Sequence, residues 1–358
     1  MRPSWHPMLV NGRSGDPALY IEPLFEKRAI LFDLGDIHSL PPRKIIRLEQ
    51  VFVSHTHIDH FVGFDRLLRV LVGRGKTIQL FGPEGLVDSV GHKLHAYRWN
   101  LVDRFLCDLV FVAAELDGSR QTRKTRFRLK NAFRAEELDP DRLAEGVCHQ
   151  DPHFRICMAL LDHRTPCLGY AFEEGAHVNI WKNRLPELGL RVGPWLRELK
   201  QAVVERRPDD AIVRVETQRP AMQETRLGDL RDVYTVTEGQ KIGYVTDAAP
   251  TEENQRRIIR LVKGSDILFI EAPFAAADAD LAAERAHLTT ALAGRIARDA
   301  AVKRVEPFHF SPRYEGQFDA MLAEVANAYA GVACDEGRSR ESAPTIEGRG
   351  STRSGRCL

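Results

Sequence analysis

Val51-Phe52-Val53-Ser54-His55-Thr56-His57-Ile58-Asp59-His60 puts three histidines and one aspartate within six residues, directly after a β-type apolar run. His55 and His57 are two apart, so in an extended chain they face the same side. Asp59 and His60 follow where the chain turns toward the helical apolar spacing of Phe64 to Val72. Neutral imidazole nitrogen and carboxylate oxygen suit Zn²⁺, with Mn²⁺ or Fe²⁺ as alternatives. Four such side chains crowded at a strand end are costly unless something pairs with them. One cluster cannot close two metal coordination spheres, so further ligands are expected downstream. His163, Asp247 and His309 each sit at the end of an apolar strand-like run, where a rigid scaffold presents functional groups.

Composition limits the alternatives. The chain has 358 residues and 43% hydrophobic residues, enough for a large core. Lys+Arg is 51 against Asp+Glu 50, which excludes a uniformly basic nucleic-acid coat. No apolar run reaches the ~18 residues of a spanning helix, and the first residues, Met1 to Pro7, lack the apolar core of a secretory signal. The six cysteines form no CxxC pair. They read as thiols in a reducing, cytoplasmic compartment.

The chain reads as mixed α/β, with strands first and then a second block of strands and helices. Strands are expected at 18–22, 28–33, 51–54 and 77–81, then a hairpin over 154–161 and 167–172. Later strands are expected at 241–246, 266–270 and 302–307, with helices over 252–263 and 317–329. Residues 119–134 carry seven basic residues and no acid, and Arg126 to Lys130 alternate with apolar residues. This stretch is either a solvated strand face or a phosphate-contacting surface. From Asp335 to Leu358 the chain is rich in Ser, Gly and Arg and is expected to be a disordered tail.

The His55 to His60 run resembles the HxHxDH signature of the metallo-β-lactamase fold superfamily. Later elements resemble its ribonuclease Z branch, the tRNA 3′-end-processing endonucleases. These are Asp33 in Leu31-Phe32-Asp33, His163 followed by Gly169-Tyr170, Tyr244-Val245-Thr246-Asp247, Glu271-Ala272-Pro273-Phe274, Ala286-His287-Leu288-Thr289-Thr290 and Phe308-His309-Phe310-Ser311-Pro312-Arg313-Tyr314. The resemblance spans residues 15–330. It implies an α/β chain of metallo-β-lactamase fold, a four-layer αββα sandwich with a dinuclear metal site at the edge of the two sheets. One hydrolase domain would cover 1–334.

The resemblance also implies roles. His55, His57 and His163 would hold one metal, Asp59, His60 and His309 the other, and Asp247 would bridge. Two Zn²⁺ per chain would supply a hydroxide that hydrolyses a phosphodiester, such as the 3′ end of a precursor tRNA. His287 would be the general acid, with Asp59 orienting or relaying the proton, and Ser311 and Arg313 would meet the substrate. The partner is then RNA or a small phosphodiester, and the sequence leaves a homodimer open. Three positions depart from the branch: Ile270 and Pro273 in the His-Glu-Ala-Thr box, and Thr246 before Asp247. No Gly/Pro-rich arm follows Gly82-Pro83. A small-molecule metallohydrolase acting on a cyclic nucleotide, lactone or thioester is the alternative enzyme. A nucleic-acid-binding module that has lost catalysis is the non-enzymatic one, and the complete ligand set argues against it.

Overall fold

Two β-sheets pack face to face, with helices covering the outer face of each. The computed structural model describes residues 4–332 except 25 and 220; the tail expected to be disordered lies outside the described residues. The first sheet holds eight strands in chain order. They are β1 (Trp5–Leu9), β2 (Leu19–Pro23), β3 (Ala29–Phe32), β4 (Leu48–Phe52), β5 (Lys76–Pro83), β6 (Leu109–Leu116), β7 (Gln121–Arg128) and β8 (Ala135–Leu138). Strands β3 to β6 are mutually parallel and the flanking pairs antiparallel. Central strands buried on both faces need apolar residues without alternation. Ala29-Ile30-Leu31-Phe32 has that pattern and is wholly buried.

The second sheet begins with β9 (Val147–Gln150), β10 (Phe154–Asp162) and β11 (Pro166–Glu174). The chain then leaves it for β12 (His177–Ile180), helix Trp195–Val204, β13 (Ile212–Glu216), β14 (Met222–Arg226) and β15 (Tyr234–Thr237). It returns as β16 (Lys241–Val245), β17 (Ile267–Glu271) and β18 (Val305–Phe308). The order across the sheet is β18-β17-β16-β11-β10-β9. Strands β16 to β18 are parallel, and β11 runs against β16.

Alternation sorts each strand's side chains between layers. Ile30, Phe32, Phe52 and Phe81 face Phe154, Tyr170, Phe172 and Tyr244 in the core between the sheets. Leu31, Val51, Leu80 and Phe111 face outward to Phe64, Leu67, Leu71 and Val90 of the first helical layer. On the second sheet Ala171, Val245, Leu268 and Ile270 meet Ile258, Leu292, Ile296 and Val325 of helices Glu252–Val262, Thr290–Asp299 and Phe318–Ala330. The expected four-layer αββα sandwich is the observed one.

The excursion over 175–240 has its own apolar cluster, in which Trp195, Leu199, Val213, Val215 and Leu230 meet. It interrupts the second sheet, and no such excursion follows Gly82-Pro83, where helix Leu86–His95 starts instead. The basic strand also ends earlier than the alternation suggested: Leu129–Asn131 forms a turn of 3₁₀-helix after Arg128.

Candidate metal centre and its surroundings

One rim of the sandwich collects the carboxyl ends of β3, β4, β16, β17 and β18 and the β10–β11 turn. Asp33, His55, Asp247, Glu271, His309 and His163 therefore arrive at one place, although 276 positions separate the first of them from the last (309 − 33). The backbone bends sharply there. Asp33, Arg164, Asp247, Ala286 and His309 all have φ between +44° and +60°. The left-handed region costs a non-glycine residue about 1–3 kcal/mol, so the surrounding packing must impose it. These bends turn side chains off the strand direction and into the rim. Nearby, Gly35 and Gly63 permit close backbone approach: a Cβ on Gly35 would lie 2.5 Å from the Asp59 carbonyl oxygen, and one on Gly63 2.1 Å from that of Gly35. The short helix Ile58–Phe61 is thereby seated on the loop after β3.

Three imidazoles surround one oxygen of Asp247. His55 Nε2, His60 Nε2 and His163 Nε2 lie 3.6, 3.4 and 3.4 Å from Asp247 Oδ2. These distances exceed hydrogen-bond length and match the ~3.4 Å between two ligand atoms on one tetrahedral ion with 2.0–2.2 Å bonds. His57 Nδ1 is 2.8 Å from His55 Nε2. His309 Nε2 and His60 Nε2 lie 3.5 and 3.4 Å from Asp59 Oδ2. Two groups with metal-holding geometry result: His55, His57, His163 and Asp247, and Asp59, His60 and His309.

The outer hydrogen bonds fix which nitrogen each ring presents. Asp33 Oδ1 accepts the Ser54 N–H at 2.6 Å, and its Oδ2 accepts from Ser54 Oγ, Tyr244 OH and His60 Nδ1 at 2.8–2.9 Å. The Ser54 hydroxyl, its proton given to Asp33, accepts from His55 Nδ1 at 3.0 Å. His163 Nδ1 donates to the Ala286 carbonyl at 2.8 Å. The Nε2 lone pairs of His55, His60 and His163 consequently point inward, the arrangement expected around a metal. His60 Nε2 is buried and has no hydrogen-bond partner. That orphaned lone pair is costly without a cation. The residues fit a divalent metal.

Electrostatics follow from the crowding. Burial, with His60 alongside, drives the His55 pKa down to about 2, so this ring stays neutral. Burial opposes ionisation of Asp59, but His309 and His60 hold its carboxyl far below the usual range. Thr246, one of the positions that depart from the ribonuclease Z branch, donates its hydroxyl to Asp247 Oδ1 at 2.7 Å. It thereby turns the other oxygen toward the imidazoles.

His287 stands beside the metal-binding groups, its ring centroid 4.8 Å from that of His163. Its Nδ1 donates to Glu271 Oε2 at 2.7 Å. Burial works against a charge on His287, but Glu271 outweighs it and raises the pKa. Thr289 caps the following helix by accepting from Leu292 N. Glu271 is read in the sequence only as part of the His-Glu-Ala-Thr box and is given no role. Its signal was a carboxylate at the end of the apolar run Ile267-Leu268-Phe269-Ile270.

A cavity of about 290 Å³ opens onto Asp59, His287 and His309 and is walled by Asp16, Phe274 and Ser311. Ser311 Oγ caps the turn at Arg313 N. Arg313 is exposed and enters no ion pair among the described residues. The basic strand differs from it. Arg123 pairs with Asp88 and Glu137, Lys124 with Asp141, Arg126 with Glu136 and Arg128 with Asp108. Its charge is neutralised within the protein, which favours the solvated face over the phosphate surface.

No protein-family model matches the chain. It is 31% identical over 297 residues to the ribonuclease Z of Deinococcus radiodurans, covering 82% of this chain and 86% of that protein. It is 30% identical over 307 residues to the ribonuclease Z of Crocosphaera subtropica, covering 82% and 81%. Among solved structures, a metallo-β-lactamase fold protein of Bacillus subtilis aligns over 91% of this chain and 94% of its own, with a TM-score of 0.50 at 15% identity. A long-form RNase Z from yeast aligns over 87% of this chain and 38% of its own, with a TM-score of 0.50 at 14% identity. The structural likeness gives the metallo-β-lactamase fold, as the sequence resemblance implied. Identity to curated relatives across four-fifths of the chain gives the family, and this chain belongs to the ribonuclease Z family.

Proposed function

We propose that the chain is a metal-dependent phosphodiesterase that cleaves the 3′ extension of precursor tRNA. The observation that carries this reading is the placing of the His287–Glu271 pair beside two metal-holding groups, with Asp59, His287 and His309 lining one cavity. His55, His57 and His163 would hold one ion and Asp59, His60 and His309 the other, with Asp247 between them. Zinc, two per chain, suits this donor set. When bound, the ions supply Lewis acidity and neutralise charge on the phosphate.

The protein's own groups do the remaining work. Glu271 accepts from His287 Nδ1 and favours the charged ring, which carries a second proton at Nε2. A ribose 3′-oxygen leaves poorly as an alkoxide, so His287 Nε2 donates the proton it needs. Asp59 lines the same cavity and orients the entering and leaving groups, and Ser311 and Arg313 meet flanking phosphate. The RNA body is gripped by the excursion over 175–240. Its Lys182, Arg191, Arg197 and Lys200 enter no ion pair among the described residues, unlike the strand-borne arginines. The free cysteines Cys107, Cys148, Cys157 and Cys167 suit a reducing cytoplasm. Among the described residues no helix is long and apolar enough to cross a membrane.

Metal-replete protein is to be given a 3′-extended precursor tRNA and, in parallel, bis-p-nitrophenyl phosphate. The expected result is cleavage of both, with a 3′-hydroxyl on the tRNA product. Turnover of the small diester with the tRNA left intact would move the activity to a small-molecule substrate.

A further inference from the structure

A third set of donor atoms adjoins the two metal-holding groups. Asp247, Glu271, His287 and His309 each place one ligand atom within 4.8 Å of the other three. Glu271 and His287 belong to neither of the sets already described. His309 presents its two nitrogens in different directions. Its Nε2 lies 3.5 Å from Asp59 Oδ2, whereas its Nδ1 lies 3.0 Å from Asp247 Oδ1 and 3.8 Å from Glu271 Oε2. That Nδ1 is buried and makes no hydrogen bond of acceptable geometry.

We propose that Asp247, Glu271, His287 and His309 form a third divalent-cation position, sharing Asp247 and His309 with the two metal-holding groups and filled when metal is in excess, in which the ion replaces both the proton held between Glu271 and His287 and the proton on His309 Nδ1, which pass to solvent. Two carboxylates and two imidazoles are a donor set for Zn²⁺. Ligand atoms around a tetrahedral ion sit about 3.4 Å apart, so the cluster must contract. His287, with 18% of its side chain exposed, is the least enclosed of the four and has room to turn. The ion's charge matches the two carboxylates, and Glu271 is fully buried, where an unneutralised charge is expensive.

The consequence for catalysis rests on the reading of His287 as general acid; the site itself does not. With an ion on Nδ1, His287 can give its Nε2 proton only by becoming an imidazolate; the metal-bound ring is a far weaker acid than the imidazolium it replaces, and the 3′-oxygen loses an effective donor. Zinc beyond the amount that fills the catalytic pair is then an inhibitor.

The test uses the holoprotein, equilibrated by dialysis against rising Zn²⁺, with bound metal counted by elemental analysis and cleavage of a 3′-extended precursor tRNA followed in the same samples. Wild type should hold about two ions tightly and take up a third at higher zinc, with cleavage falling as the third binds. Glu271→Gln and, separately, His287→Ala should keep the tight pair and weaken the third ion by at least about tenfold. His287 is partly exposed, so its variant carries the test if Glu271→Gln folds poorly. Saturation of wild type at two ions would overturn the proposal. So would a third ion held equally well by both variants, since it would then be an adventitious surface ion. Uptake of a third ion lost in the variants, with tRNA left intact at every zinc level, would support the site while rejecting the activity.

Discussion

Glu271 Oε2 accepts from His287 Nδ1 at 2.7 Å, while the other carboxylate oxygen, Oε1, accepts the backbone N–H groups of Ala248 and Leu288. One buried carboxylate thus ties the loop after β16, the segment before helix Thr290–Asp299 and an imidazole that lines the cavity into one unit. Burial raises its pKa, but His287 and His309 bring it down to about 2, so Glu271 is ionised wherever the protein is folded near neutrality.

His287→Ala should leave the fold and the tight metal pair intact. General acid catalysis is worth ~10²–10⁴-fold, so cleavage at a ribose 3′-oxygen should fall by that order. Bis-p-nitrophenyl phosphate, whose leaving group is stable as an anion, should lose much less. The check is the ratio of the two kcat values; equal losses in a well-folded, metal-replete variant would show that the ring is only structural.

Tight metal binding should amount to about two ions per chain and be lost on chelation together with turnover. Elemental analysis of metal-replete protein reads this directly, and a ceiling of one ion would reject the dinuclear arrangement. Tyr244→Phe removes a donor from buried Asp33. A hydrogen bond to a charged group contributes about 1.5–3 kcal/mol, and outer-shell changes typically weaken metal binding 10–100-fold. Denaturant melts and zinc competition should both register the loss.

Two basic surfaces should behave differently toward RNA. Replacing Arg123, Lys124, Arg126 and Arg128 with Ala breaks exposed pairs that contribute about 0.2–1 kcal/mol each. The salt dependence of RNA binding should hardly change. Replacing Arg191, Arg197 and Lys200 should flatten it, because each lost phosphate contact lowers the slope by ~1. The slope of binding constant against salt decides between the surfaces.

Acid should erode one cross-strand charge cluster in a particular direction. Glu173 on β11 lies opposite Arg155 on β10 and Lys241 on β16 and pairs with both, at 2.7 and 3.0 Å. Burial opposes ionisation, but Lys241 and Arg155 outweigh it and hold the carboxyl below its usual range. A depressed pKa stabilises the fold above the unfolded value of about 4.3 and stops doing so as pH falls through the folded value. Glu173→Gln should therefore be less stable than wild type at pH 7, and the gap should close as the pH drops below about 4. Denaturant melts across that range test the sign; a gap that widened in acid would contradict it.

Much of the fold was legible because its signals are local. Apolar runs such as Ile242-Gly243-Tyr244-Val245 mark buried strands wherever they pair. The expected hairpin is present as β10 and β11, and the helix expected over 252–263 spans Glu252–Val262. Strand β6 was not expected: Leu109-Val110-Phe111-Val112-Ala113-Ala114 is apolar without alternation, a pattern that helix and buried strand share. The short strands of the excursion are partly exposed and polar, so periodicity hardly marks them.

The sequence by itself determined the metal-holding character of this protein, because His55, His57, Asp59 and His60 are neighbours along the chain and need no folding to be recognised as a set. Tertiary structure decided what depends on strands meeting. Parallel pairing of β16, β17 and β18 carries Asp247, Glu271 and His309 to one rim, and a one-residue slip would send alternate side chains to opposite faces. The same is true of charge. Arg123, Lys124, Arg126 and Arg128 form a cationic run when read along the chain, but acids at positions 88, 108, 136, 137 and 141 come alongside only when the first sheet closes around them. Composition fixes how many charges there are, whereas the fold fixes which of them remain unpaired.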